Sequence, residues 1–289
     1  MRVMITGALG RLGGRLVELM ASEHAVSGVD IDDFDITDPA ATMNAVRQAN
    51  PALVIHCAAM TDVDGCARNP DLAMRVNAYG TGNLALACQA LGAVMAYISS
   101  NEVFDGRKAA PYLEYDPANP INPYGYSKWA GEQMVRDVLT RFYIIRTSWL
   151  FAHGGRNFIH AILGRARAGE PLRVVTDEVA APTYNDDLAD AIVVLVGSER
   201  YGVYHLVNEG SASRYDFARR ILDAAGYASV PVAPITLAEF ARPSQPPPYA
   251  TLRNFAAAEL LGIRLRPWEA ALDAFLAREG LRARSGAAQ

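Results

Sequence analysis

Three cysteines in 289 residues, Cys57, Cys66 and Cys88, form an odd set with no Cys-x-x-Cys spacing, so neither a disulfide framework nor a zinc ribbon is encoded. No apolar run approaches the roughly 18 residues that a membrane-spanning helix needs. No basic-then-apolar leader is seen either: Met1 leads straight into a first strand, and a soluble, cytoplasmic protein is expected. Charge of neither sign dominates, and a net −4 speaks against a nucleic-acid partner. The five histidines show no zinc-ligand spacing. The acidic run Asp30, Asp32, Asp33, Asp35 fails as a calcium loop counted from Asp30, because Asp35 stands where glycine is required and Ala41 where a closing glutamate is required. No metal ligand is assigned, and no internal repeat is present.

What is there is a chain 51% hydrophobic and 20% charged, enough to bury a substantial core in one large domain, or in one domain with a smaller lobe. Its first twenty residues read as a short apolar strand, a tight turn and an amphipathic helix. Gly7, Gly10 and Gly13 punctuate the turn in the order Gly-x-x-Gly-x-x-Gly, which differs from the commoner Gly-x-Gly-x-x-Gly. Gly7 permits the turn, Gly10 lets backbone approach a pyrophosphate, and Gly13 allows close helix packing, while the helix start offers free N–H groups to an anion. A second apolar strand ends at Asp30, placed to accept hydrogen bonds from an adenosine ribose.

Far downstream lies Tyr124, followed four residues later by Lys128. That spacing puts both on one helix face. A phenol beside a fixed cation is expected to be more acidic than the ordinary value of about 10, and so able to pass a proton to a carbonyl oxygen while hydride reaches the carbon. A glycine turn after a strand, an acid after the next strand and a Tyr-x-x-x-Lys pair together predict a dinucleotide-dependent reductase using NADPH or NADH.

Strand and helix patterns alternate as in a Rossmann-type, doubly wound parallel α/β sheet. Strands are expected at 3–6, 25–29, 53–57, 94–99 and 143–146, with helices at 39–48, 71–91 and 124–139. The residues at the strand ends, Gly10, Asp30, Ala58, Ser99 and Ser100, should converge at one sheet edge. Residues 1–150 read as the dinucleotide-binding core. Residues 151–281 read as a smaller, mixed substrate-binding lobe with segments returning to the core: helices at 157–168, 186–197, 214–225 and 268–279, short strands at 172–175 and 203–207. The proline-rich stretch 231–248 reads as an ordered lid or crossover, and 282–289 as a frayed tail.

The segments Gly7 to Gly13, Phe34 to Asp38, Cys57 to Asp64, Val76 to Asn77, Val103 to Gly106, Tyr124 to Glu132, Arg146 to Trp149, Pro182 to Tyr184 and Tyr204 to Asn208 occur in an order that resembles one family over nearly the full length. The chain is similar to the dTDP-4-dehydrorhamnose reductases, within the extended short-chain dehydrogenase/reductase superfamily. The resemblance implies reduction, with NADPH or NADH, of the C4 ketone of a dTDP-linked 6-deoxyhexose in dTDP-L-rhamnose biosynthesis. It implies Tyr124 as proton donor, Lys128 as its activator and a ribose ligand, and Ser100 as the hydroxyl that polarises the carbonyl. Gly10, Arg11 and Leu12 would line the pyrophosphate, Asp30 the ribose, Asp35 and Ile36 the adenine end, and Ala58, Ala59 and Thr61 the middle of the cofactor. Trp149 would pack on the sugar. A homodimer is left open.

Two departures set this chain apart. Where the family reads Thr-Asp-Tyr-Val-Phe, the chain has Ser100, Asn101, Glu102, Val103 and Phe104, so Asn101 and Glu102 replace an aspartate and a tyrosine that face the sugar. The family's Arg-Pro-x-x-Ser-x-Leu pattern is met by residues 246–252 without its arginine and serine; Arg242 and Arg253 stand close enough in sequence to compensate. Two other readings remain: a non-catalytic, cofactor-binding regulatory subunit of the same fold, as in a branch that associates with a methionine adenosyltransferase, and a nucleotide-sugar epimerase or dehydratase. The joint presence of Ser100, Tyr124 and Lys128 favours the reductase.

Overall fold

Strands buried on both faces send alternate side chains into two different cores, and the strands Arg2–Thr6 and Leu53–His56 are built that way. In the computed structural model, which describes residues 1–155 and 157–283, the first half runs β1 (Arg2–Thr6), α1 (Arg11–Met20), β2 (Ala25–Val29), α2 (Pro39–Ala49), β3 (Leu53–His56), α3 (Val63–Arg68), α4 (Pro70–Met74), α5 (Thr81–Leu91), β4 (Val94–Ser100), α6 (Pro123–Val138) and β5 (Phe142–Thr147). The second half runs β6 (Leu150–Phe151), α7 (Phe158–Arg167), β7 (Leu172–Val175), β8 (Val179–Ala180), β9 (Thr183–Tyr184), α8 (Asn185–Val196), β10 (Gly202–His205), β11 (Ala212–Ser213), α9 (Arg214–Ala224), β12 (Val232–Ile235), α10 (Phe255–Leu261) and α11 (Trp268–Arg278).

Six strands form one parallel sheet in the order β10-β5-β4-β3-β1-β2. Val3, Ile5, Leu53, Ile55 and Ile145 face a core shared with Leu12 and Leu16 of α1 and Leu188 and Ile192 of α8. Met4, Val54, Met95 and Ile144 face the other, with Val46 of α2, Leu84 of α5 and Val135 of α6. A third core, around Phe151, Phe217 and Phe275, joins α7, α9 and α11.

The order reverses at β1, with β2 on one side and β3 on the other. The loops after β1 and β3 therefore diverge and open a crevice at the carboxyl edge, where doubly wound sheets take ligands. Thr6 stands in register with both Val29 and His56, so the loops after β1, β2 and β3 start at one level.

The expected helix over 71–91 is continuous but not uniform. After α4, Arg75–Gly80 forms a widened i→i+5 turn before α5 begins. The Asn77 carbonyl there accepts from the Thr81 hydroxyl at 2.7 Å and the Tyr97 hydroxyl at 3.4 Å. The short helices α3 and α10 lack a periodic pattern long enough to signal them. Ser99 and Ser100 are the last residues of β4 and do not follow it. The proline-rich stretch is ordered and includes β12, paired with β7. The tail from 284 onward lies outside the described residues.

Candidate active site

A cavity of about 1020 Å³ opens along the carboxyl edge of the sheet. It is lined by Gly7, Gly10, Arg11, Leu12 and Gly13 from the turn into α1; Asp30, Asp35 and Ile36 after β2; and Ala58, Ala59 and Thr61 after β3. Ser100, Asn101 and Glu102 at the end of β4, Tyr124 and Lys128 of α6 and Trp149 after β5 complete the set singled out from sequence. Sequence reasoning did not find Arg214, at the start of α9, which lines the same space.

The turn end is made of backbone. Gly7 has φ +72°, and a Cβ there would lie 2.6 Å from the Ala58 nitrogen, so the loops after β1 and β3 approach across the crevice only because Gly7 has no side chain. A Cβ at Gly13 would lie 2.1 Å from the Gly7 carbonyl oxygen. Gly13 thus seats the helix against the turn, where close packing on the sheet was expected. The first turn of α1 has no side-chain cap, leaving its N–H groups to an anion. Asp30 Oδ2 accepts the Leu9 N–H and Oδ1 the Ile31 N–H, both at 2.8 Å. The acid therefore fixes the turn to the end of β2 and keeps lone pairs for a further donor.

The other end is made of side chains. Burial and then the Glu102 carboxylate push the Tyr124 phenol above its ordinary value, with the nearby Ser100 hydroxyl pulling the other way. This overturns the expectation that Lys128 makes the phenol more acidic: the leading charge acting on Tyr124 is negative. Tyr124 is a neutral phenol holding its proton.

Lys128 is buried, with Nζ 4.4 Å from the centre of the Tyr97 ring. Burial pulls its ammonium down to about 7, opposed chiefly by the Glu132 carboxylate. Glu132, one turn further along α6, is fully buried and accepts from Arg146 Nε at 2.8 Å, Arg146 Nη2 at 2.6 Å and the Ser99 hydroxyl at 2.6 Å. Its place four residues after Lys128 was the available signal, but its partners lie on β4 and β5. Asn77 joins the loop after β3 to α6 by donating to the Met60 carbonyl at 3.0 Å and the Ser127 hydroxyl at 2.9 Å.

Glu102 is held by Asn122, whose amide donates to Oε2 at 2.7 Å and to the Gln245 carbonyl at 3.0 Å. Burial raises the Glu102 carboxyl to about 7, the Asn122 hydrogen bond opposing. Asn101 donates to the Ala250 carbonyl at 3.1 Å. Asn101 thus ties the end of β4 to the chain just past the proline-rich segment, and Glu102 shares Asn122 with Gln245 of that segment. Trp149 has φ +42°, and the Arg214 guanidinium lies 3.5 Å from its ring centre while bonding Glu178 through Nε and Nη2 at 3.0 and 2.9 Å.

Arg242 and Arg253 part company. Arg242 pairs with Asp64 of α3 at 3.0 Å, and its charge is felt at Glu102. Arg253 lies beside Phe255 at a separate cavity of about 270 Å³, so it does not compensate for the missing arginine. His56 is neutral, driven by burial to about 3 between Thr6 and Thr81. Among the described residues no cluster of histidine, cysteine, aspartate or glutamate suits a metal ion, and no helix is long and apolar enough to cross a membrane.

A profile of the RmlD substrate binding domain matches residues 1–280. The chain is 36% identical over 276 residues to the spore coat polysaccharide biosynthesis protein SpsK of Bacillus subtilis, covering 95% of this chain and 96% of that protein. It is 38% identical over 280 residues to the dTDP-4-dehydrorhamnose reductase of Streptomyces griseus, covering 94% and 91%. Among solved structures, the Bacillus anthracis dTDP-4-dehydrorhamnose reductase in complex with NADP superposes with a TM-score of 0.91 at 36% identity, covering 96% of this chain and 99% of that one.

Proposed function

The chain belongs to the RmlD substrate binding domain family, and from that premise we propose that it is an NAD(P)H-dependent reductase of a nucleotide-linked 4-keto-6-deoxysugar, with dTDP-4-dehydrorhamnose as substrate and dTDP-L-rhamnose as product. One observation carries the reading: Ser100, Tyr124 and Lys128 lie at one end of a cavity whose other end is an uncapped helix start behind a glycine turn. The absent side chain of Gly13 and the first turn of α1, which no side chain caps, fit a pyrophosphate. Asp30 fits a ribose hydroxyl. A bound nicotinamide cofactor supplies the hydride.

The residues of the chain do the rest. Ser100 donates a hydrogen bond to the ketone oxygen, and Tyr124 gives that oxygen its proton as the carbon accepts hydride. Lys128, near neutrality, offsets the phenolate that forms and reaches the cofactor ribose. Trp149 and Arg214 make one wall against the sugar. Residues 1–150 line both ends of the cavity, and 151–281 add Arg214 to the sugar wall. Three free thiols fit a reducing cytoplasm.

The test is NADPH oxidation with dTDP-4-dehydrorhamnose. The native chain is expected to turn over, and Tyr124→Phe to lose about two to four orders of magnitude in kcat with cofactor affinity kept. Cofactor binding without turnover on any keto sugar would instead establish a regulatory subunit.

A further inference from the structure

Glu102 stands where the resembling family carries a tyrosine, and it is the side chain whose charge most strongly reaches the proposed proton donor. Its main-chain N–H donates to the Ser100 hydroxyl at 3.2 Å. Its carbonyl oxygen crowds Gly125, where a Cβ would come within 2.0 Å, so the residue lies against the first turn of α6 beside Tyr124. The Asn122 amide fixes one carboxyl oxygen, and Asn122 also caps α6, accepting the Gly125 N–H at 2.8 Å. The carboxyl, the Ser100 hydroxyl and the phenol therefore share one wall of one cavity.

We propose that Glu102 is a positioning residue for proton transfer, its carboxyl, held by Asn122 against the start of α6, governing how readily Tyr124 gives up its proton. The inference rests on the reductase reading. In that reaction the ketone carbon gains the hydride, the ketone oxygen gains the phenol proton, and a phenolate is left until solvent reprotonates it. A carboxylate at Glu102 opposes that phenolate, and a neutral carboxyl does not.

The charged and titratable groups around Glu102 come from several elements: Tyr124 of α6, Cys66 of α3, Glu178, Arg214 of α9 and Arg242. The arginines favour the carboxylate, Glu178 and burial the neutral acid, and the balance leaves Glu102 near neutrality. Reduction should consequently slow as pH rises and Glu102 ionises. Lys128 loses its proton over the same range and slows the reaction with the same sign, so the native fall combines two groups.

The experiment compares kcat for reduction of dTDP-4-dehydrorhamnose from about pH 5.5 to 9 in the native chain, Glu102→Gln and Glu102→Tyr. Both variants should fall less steeply than the native chain, keeping only the Lys128 limb, and should exceed it at the alkaline end by about three- to tenfold relative to their own acid plateaus. Profiles parallel to the native one, displaced by a constant factor, would overturn the proposal, since a merely structural role scales activity at every pH. A second measurement needs no turnover: the infrared carboxyl band lost in Glu102→Gln should show Glu102 protonated near about pH 6 and ionised near about pH 8.5. A carboxyl ionised throughout that range would overturn the proposal even where reduction proceeds. No reduction of any keto sugar, with the band titrating as expected, would place the failure in the reductase reading instead.

Discussion

At the glycine turn the cavity wall is main chain from the first strand–helix–strand unit and the loop after β3, whereas at the Ser100 end it is side chains brought together from β4, α6, the loop after β5 and α9. The first kind of wall tolerates no added atom where it is tightest: the carbonyl of Gly7 leaves no room for a Cβ on Gly13. The second kind can change chemistry without changing shape, because a tyrosine-to-glutamate difference at position 102 is absorbed by one asparagine amide. A backbone-built end fixes what every member must bind, and a side-chain-built end leaves room for members to differ.

Three substitutions sharpen the contrast, starting from the side-chain end. Arg146→Met leaves the Glu132 carboxylate buried without its cation, and unfolding in denaturant should show about 3–5 kcal/mol lost. An unfolding midpoint equal to the native one would mean that Glu132 finds another partner or takes up a proton. Gly13→Ala comes next. Its Cβ must displace the Gly7 carbonyl, with about 1–3 kcal/mol of overpacking. Calorimetry should show NADPH affinity falling by at least about tenfold, which is roughly 1.4 kcal/mol. Unchanged affinity would show that the turn yields without cost and that the backbone end is less rigid than its contacts imply. The smallest effect belongs to Asp30→Ala. Removing a carboxylate that disfavours a 2′-phosphate should shift the NADPH to NADH ratio of kcat/KM toward NADPH by about tenfold. Because Asp30 also receives the Leu9 N–H, affinity for both nucleotides should fall together; a constant ratio would assign discrimination to other residues.

The contrast also governs what the sequence made legible. The sheet strands were readable because apolar runs bounded by turns need only local chemistry, and the glycine turn because φ and close approach select glycine directly. The cavity gathered the residues given catalytic, cofactor or sugar roles beforehand, most of which follow or end strands that a parallel sheet must align, but not Arg242 or Arg253. The widened turn at Arg75–Gly80 was not legible, since one hydroxyl that bonds its Asn77 carbonyl, that of Tyr97, sits on another strand. Arg214 was missed for the same reason: nothing within α9 announces that Trp149 and Glu178 will meet it. The acidity of Tyr124 was read with the wrong sign, because helix spacing shows Lys128 and not the desolvation around both groups.

Asn122 uses its whole amide: the oxygen takes the Gly125 N–H, and the nitrogen gives to Glu102 and to Gln245. The cap itself is local, but the partner at 245 is 123 residues away, so the amide is fully used only after a long stretch of chain has folded back. Contacts of such separation are entropically costly to close, and they are made after local turns and helices have formed. The phosphate-binding turn is a local structure that assembles early. The wall that faces the sugar rests on contacts of the costlier kind, while the start of α6 is capped locally.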